Sequence, residues 1–182
     1  YLLEEIHNTS FFYFGSTFIQ NSDKIDLQKK NMASLIASNQ NKLTGHKLRH
    51  EVVQHIKNNN FNVSVIGRGY RPFENKEDGL KSYRYSIVIE NTSELDYFTE
   101  KVIDACLLET IPIYWGAPNI SKYFDTRGFI VCENIDQILQ AIRTISIDDY
   151  NSKVEWIMKN KVKAAYHANC FKRAAQVIRS SL

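Results

Sequence analysis

The 182-residue chain is short of several things that would decide its class at once. No run of apolar residues reaches the about 20 needed to span a bilayer, and no signal-peptide pattern stands at the front. There is no long basic run, and the formal net charge is only +3, so the charge does not call for a nucleic-acid partner. Cysteine is scarce. Cys106, Cys132 and Cys170 are far apart, odd in number and without metal-type spacing. Cys106 and Cys132 stand in apolar surroundings. The thiols therefore read as reduced core groups, and a reducing, cytoplasmic setting is expected. No carboxylate pair and no His/Cys cluster has the spacing of metal ligands. Internal repeats and low-complexity tracts are absent. Asn-X-Ser/Thr at Asn8, Asn62, Asn91 and Asn119 is taken as chance in an Asn- and Ser-rich chain, not as a sign of secretion.

What is present is ordinary for a globular protein. Apolar residues make up 43% and charged residues 24%, and the length suits one domain with a sizeable core. The first residue is Tyr1 rather than Met, so an excised domain or a processed product is expected.

Residues 1–31 read as an N-terminal remnant or linker, with a candidate short strand at Phe11–Phe14 and a polar loop over 20–30. From residue 32 the pattern changes. Met32–Ala37 is a short apolar run bounded by polar residues, which predicts a buried strand. Leu48, Val52, Val53 and Ile56 then recur at helical spacing within 46–58. Asn62–Ile66 is a second strand, closed by Gly67-Arg68-Gly69. Further strands are predicted at Tyr83–Glu90, Ile111–Trp115 and Phe129–Val131. Helices are predicted from Phe98 or Thr99 to Leu108 and over Ile135–Ile145, with a helical turn at 120–124. Residues 148–180 read as one or two terminal helices. Short buried strands alternating with amphipathic helices predict an α/β fold over 32–182: a Rossmann-like parallel sheet sandwiched by helices.

In such a sheet, ligands bind outside the carboxyl ends of the strands. Glu90-Asn91 ends one predicted strand, and Asp96-Tyr97-Phe98-Thr99-Glu100-Lys101 opens the next helix. Thr99 is a natural cap. Helix-terminal N–H groups and the dipole favour phosphate there. Lys101 in the first turn opposes the dipole, which makes sense beside an anionic ligand, and Glu100 could accept bonds from sugar hydroxyls. A capped surface helix with an incidental Glu-Lys pair explains the same residues. Arg68 is either a basic site residue or part of a turn, and Tyr114 and Trp115 either line a pocket or belong to the core. His55 and His167 read as surface or packing residues.

The stretch resembles the signature of family 10 glycosyltransferases, the α-1,3/1,4-fucosyltransferases. The likeness is carried by Tyr83–Asn91 with its terminal Glu-Asn, by Asp96–Lys101, and by Ile111-Pro112-Ile113-Tyr114-Trp115-Gly116. A weaker likeness runs back to Ala33, including Gly45–Arg49, and forward to Asn134. The resemblance implies the C-terminal half of a GT-B fold, which binds GDP-fucose without a metal or other cofactor. It implies donor contacts from Tyr97, Glu100 and Lys101, with Asn91 shaping the pocket. Gly45 stands where the family has a diphosphate-binding Arg, so Arg49 or Lys47 is the expected substitute.

The implied activity is inverting transfer of fucose from GDP-fucose to a glycan hydroxyl. The catalytic residue is unknown. The resemblance places the base in an N-terminal domain, outside this chain, and Glu4, Glu5 and His7 are the formal alternatives within it. The competing readings are a non-catalytic nucleotide-sugar-binding module or isolated donor domain, and an unrelated Rossmann-like domain.

Overall fold

A computed structural model describes residues 15–180. The candidate strand at Phe11–Phe14 and the side chains of Glu4, Glu5 and His7 lie outside the described residues. Among the described residues, five strands form one wholly parallel sheet: β1 (Asn31–Ile36), β2 (Val63–Ile66), β3 (Tyr83–Ile89), β4 (Ile111–Trp115) and β5 (Ile130–Val131). Parallel neighbours need crossovers. Helix α1 (Thr44–Asn58) joins β1 to β2, and α2 (Glu100–Leu107) joins β3 to β4. The chain closes with α3 (Ile135–Thr144), α4 (Ile147–Ser152), α5 (Val154–Ala168) and α6 (Cys170–Ser180). The terminal segment therefore holds three helices rather than one or two. Ser146 caps α4 through its side chain, and Lys153 and Asn169 then break the helical path.

Strand periodicity divides the interior into two layers. Leu35, Tyr85, Ile87, Ile111 and Ile113 face one core with Val52 and Val53 of α1 and Ile138 of α3. Val88 and Tyr114 face the other, with Val102, Ile103 and Leu107 of α2 and Ala164 of α5. Strand β4 is buried along its whole length, as is β3 except at Arg84. Covering on both faces is why these two strands read as nearly continuous apolar runs. Tyr114 and Trp115 belong to this interior: the Tyr114 hydroxyl accepts from the Ala117 N–H at 3.0 Å, and Trp115 Nε1 donates to the Glu133 carbonyl at 3.0 Å. All three cysteines are free and buried.

Residues 20–30 are irregular apart from one 3-10 turn at Ser22–Lys24. They and the residues just before them lie against the domain. Ile19 is buried in the α2-side core, and Thr17 Oγ1 donates to Asp104 Oδ1 at 2.5 Å. Lys29 Nζ donates to the carbonyls of Leu80 and Leu108 and to Thr110 Oγ1.

The strand order is β2-β1-β3-β4-β5. After β1 the chain adds β2 on one side, then crosses back to add β3 on the other. The crevice outside the carboxyl ends of β1 and β3 is therefore the topological switch point, where open α/β sheets bind ligands.

Candidate functional site

A cavity of about 280 Å³ occupies that switch point. Its walls come from the end of β1 (Ile36, Ala37, Ser38), the turn after β2 (Gly67, Arg68) and the end of β3 (Ile87, Val88, Ile89). Among the lining residues Ala37, Ser38, Gly67 and Ser86 are small and leave the space. Four cations line the cavity: Arg49, Arg68, Lys76 and Lys101, with Glu100 beside them. Apolar walls with a few charged groups suit an organic anion.

The start of α2 is held from below. Thr99 caps the helix, as its residue type predicts: its Oγ1 accepts from the Lys101 N–H at 3.4 Å. The Thr99 N–H donates to Glu90 Oε1 at 3.0 Å and its hydroxyl to Glu90 Oε2 at 2.6 Å. These two N–H groups are thus already engaged within the protein, which corrects the expectation that the helix end offers them to a ligand. The positive charge that faces the cavity is carried by side chains instead. Lys101 Nζ lies 3.0 Å from Thr99 Oγ1, 3.4 Å from Glu100 Oε1 and 3.5 Å from Glu90 Oε2. Burial pushes the Glu90 carboxyl above the usual carboxylate range, against the pull of Lys101 and Thr99. Burial acts upward on Glu100 too, but the Lys101 and Lys76 ammonium groups outweigh it and hold that carboxyl below its usual range.

The loop between β3 and α2 is fixed by Asp96, which takes the left-handed conformation with φ 62. Asp96 Oδ1 accepts from Asn119 Nδ2 at 2.8 Å and from the Tyr123 hydroxyl, and its N–H donates to Asn119 Oδ1 at 2.9 Å. Next to it, Tyr97 is half-buried, and burial, with the nearby Glu90, pushes its hydroxyl above the usual range. Asn91 Oδ1 meets His46 Nε2 at 3.1 Å. Asn91, Tyr97, Glu100 and Lys101 are thus gathered along one short stretch, with Glu100 and Lys101 on the cavity itself.

On the other side, Gly45 explains why no Arg stands at its position. A Cβ there would lie 1.7 Å from the Glu90 carbonyl oxygen, and the Gly45 N–H donates to the Asn91 carbonyl at 2.9 Å. Helix α1 is seated directly on the end of β3, with no room for a side chain. One turn later, Arg49 reaches the cavity: it is 5% exposed, and its Nη2 donates to the Ile89 carbonyl at 2.6 Å. Lys47 is exposed and lies with Asn39, Asn41 and His50 in a separate surface depression. Residues two apart on a helix point to nearly opposite sides, so only one of the two can face the cleft.

Lys76 has no signal in the sequence. It opens a 3-10 turn (Lys76–Gly79) in the β2–β3 connection, a stretch with no periodicity to place it. Its Nζ pairs with the buried Asp104 Oδ2 at 2.7 Å and with Glu100 Oε1 at 3.5 Å. Glu90 stood in the motif only as a strand end. His167 is buried against Phe98, Tyr123 and Phe124, a packing role, and His55 lies half-exposed on α1.

Residues 27–178 match the model of glycosyltransferase family 10 (fucosyltransferase), C-terminal region. The alpha-(1,3)-fucosyltransferase FucT of Helicobacter pylori is 34% identical over 122 residues, which cover 66% of this chain and 25% of the relative. The human GDP-fucose protein O-fucosyltransferase 3 is 28% identical over 89 residues, 46% of this chain and 19% of the relative. Among solved structures, an α1,3-fucosyltransferase with GDP-fucose superimposes with a TM-score of 0.58 at 30% identity, covering 72% of this chain and 40% of that one. An α1,3-fucosyltransferase with GDP gives 0.57 at 29% identity, with the same coverage. The chain thus spans well under half the length of these relatives. The parallel sheet, its switch-point cavity and the family match agree: the chain belongs to glycosyltransferase family 10, the fucosyltransferases, and its fold is the Rossmann-like, C-terminal half of their GT-B arrangement.

Proposed function

We propose that this domain is the donor half of an inverting fucosyltransferase that binds GDP-fucose in the switch-point cavity. The observation that carries the reading is the convergence of Arg49, Lys76 and Lys101 on one small cleft at the ends of β1 and β3. A nucleotide sugar brings an apolar base and a charged diphosphate, and the cleft offers an apolar wall and cations to match. In the transfer, an acceptor hydroxyl oxygen attacks the anomeric carbon. The bond from that carbon to the diphosphate oxygen breaks, and its electron pair leaves with GDP. Arg49 and Lys101 stabilise the charge that grows on the departing diphosphate, which lowers the barrier selectively at the transition state. Tyr97, Asn91 and Glu100 orient the ribose and sugar hydroxyls.

The hydroxyl proton must pass to a base. Glu90 and Glu100 are both engaged with Lys101, so we assign the base to a part of the enzyme outside the described residues. The donor domain alone then binds without turning over, and the glycan acceptor is met elsewhere.

Calorimetric titration with GDP, GDP-fucose, GDP-mannose and UDP-sugars tests the reading. GDP and GDP-fucose should bind, and Lys101→Ala should weaken both by about tenfold or more, the loss of one charge-assisted contact. Absence of binding by every GDP species would sink the proposal.

A further inference from the structure

Beneath the cleft lies a carboxylate for which the donor reading has no use. Glu90 comes directly after β3, is wholly buried, and is not among the residues that line the cavity. Both its oxygens are committed to Thr99, one to the N–H and one to the hydroxyl. Its own N–H donates to the Trp115 carbonyl at 2.9 Å, which fixes the direction of the side chain. Two glycines let it sit there, one against its backbone and one against its side chain. A Cβ on Gly45 would strike the Glu90 carbonyl, and one on Gly116 would lie 2.7 Å from Glu90 Cγ. Burying a carboxylate is costly unless it is paired and hydrogen-bonded, so what this one holds is of interest.

The Thr99 hydroxyl has a single proton. With that proton given to Glu90 Oε2, its oxygen can only accept, and it accepts from Lys101 Nζ at 3.0 Å and from the Lys101 N–H. Glu90 Oε2 also attracts the same ammonium from 3.5 Å. The carboxylate sets the polarity of the hydroxyl, and the hydroxyl sets the ammonium.

We propose that Glu90 is a positioning residue for Lys101, acting through the Thr99 hydroxyl, and that it fixes where the ammonium meets a diphosphate. The role of Lys101 toward a diphosphate rests on the donor-site reading above. The relay from Glu90 to Lys101 does not.

The test has two arms. In the protein without ligand, the acetylation rate of Lys101 is followed by mass spectrometry. Glu90→Gln and Thr99→Val release the ammonium and should raise the rate by about fivefold, the equivalent of one hydrogen bond. Thr99→Ser keeps the hydroxyl and should restore the wild-type rate. The second arm is a double-mutant cycle on the calorimetric Kd for GDP. Glu90→Gln should weaken binding about fivefold in the wild-type background, and less than about twofold once Lys101→Met is present.

Unchanged labelling in both Glu90→Gln and Thr99→Val would overturn the proposal. So would an equal loss of affinity in the Lys101→Met background, which would make Glu90 merely structural. If Glu90→Gln does not fold, the Thr99→Val and Thr99→Ser pair decides. If the wild-type protein binds no GDP, the donor-site reading falls and the labelling arm still settles the relay.

Discussion

Helices α1 and α2 both begin at the carboxyl end of the sheet, yet the two starts are built differently. The start of α1 is a seat. Gly45 lies against the Glu90 carbonyl, its N–H is taken by Asn91, and no acidic residue stands in the first turn. The start of α2 is a platform. Thr99 caps it, Glu90 supports it from the core, and Glu100 and Lys101 look into the cavity. One helix end serves packing and the other presents charge. A helix N-terminus in this fold is therefore not a ligand site by position alone.

The comparison can be broken most forcefully at Gly45. Gly45→Ala forces a Cβ into a carbonyl that has nowhere to move, and should destabilise the domain by about 3 kcal/mol in urea unfolding. Lys101→Ala, by contrast, takes a cation from the buried Glu90 but leaves its two Thr99 bonds, and should cost less stability than Gly45→Ala while weakening GDP binding. If Gly45→Ala left stability intact, the seat would not exist as described.

A smaller effect is expected with pH. Burial, and then the Arg49 guanidinium, holds the His46 imidazole below its usual range; His50 on α1 and Lys101 on α2 act the same way. Leu43 N–H donates to Nδ1 at 3.4 Å, so the ring proton sits on Nε2 and faces Asn91 Oδ1. Folding thus favours the neutral ring. Its contribution is complete above the unfolded value of about 6.5 and is lost as pH falls through the lower folded value. Urea midpoints for the wild type should fall more steeply than those of His46→Gln between about pH 7 and pH 5. Parallel curves would remove His46 from the seat.

The smallest effect belongs to Lys47→Ala, which should change stability by less than about 0.5 kcal/mol and GDP affinity by less than about twofold. A larger loss would draw the outer face of α1 into the site.

The strands were legible because burial on both faces writes itself as apolar runs, and Ile111–Trp115 was read to the residue. The cap at Thr99 was legible from residue type and position. Arg49 and Lys47 could not be told apart until the seating of Gly45 set the rotation of α1. Lys76 was hidden for a different reason. Its turn has no period, and its place depends on contacts with Asp104 and Phe18, which are distant in sequence. Glu90 was in plain view within the motif, but only its burial reveals that it faces inward to Thr99 and not outward to a ligand. Burial of a carboxylate is a tertiary property and leaves no local pattern.

The contact between Gly45 and the Glu90 carbonyl also constrains how the lineage can vary. It is a backbone contact, so it bars a side chain at 45 whatever residue stands at 90. Gly116 is hemmed in twice, by Glu90 Cγ and by the Tyr114 ring, each with an atom 2.7 Å from where a Cβ would lie. Shortening residue 90 alone therefore frees neither position, and both glycines should be inherited wherever this end of the sheet is kept.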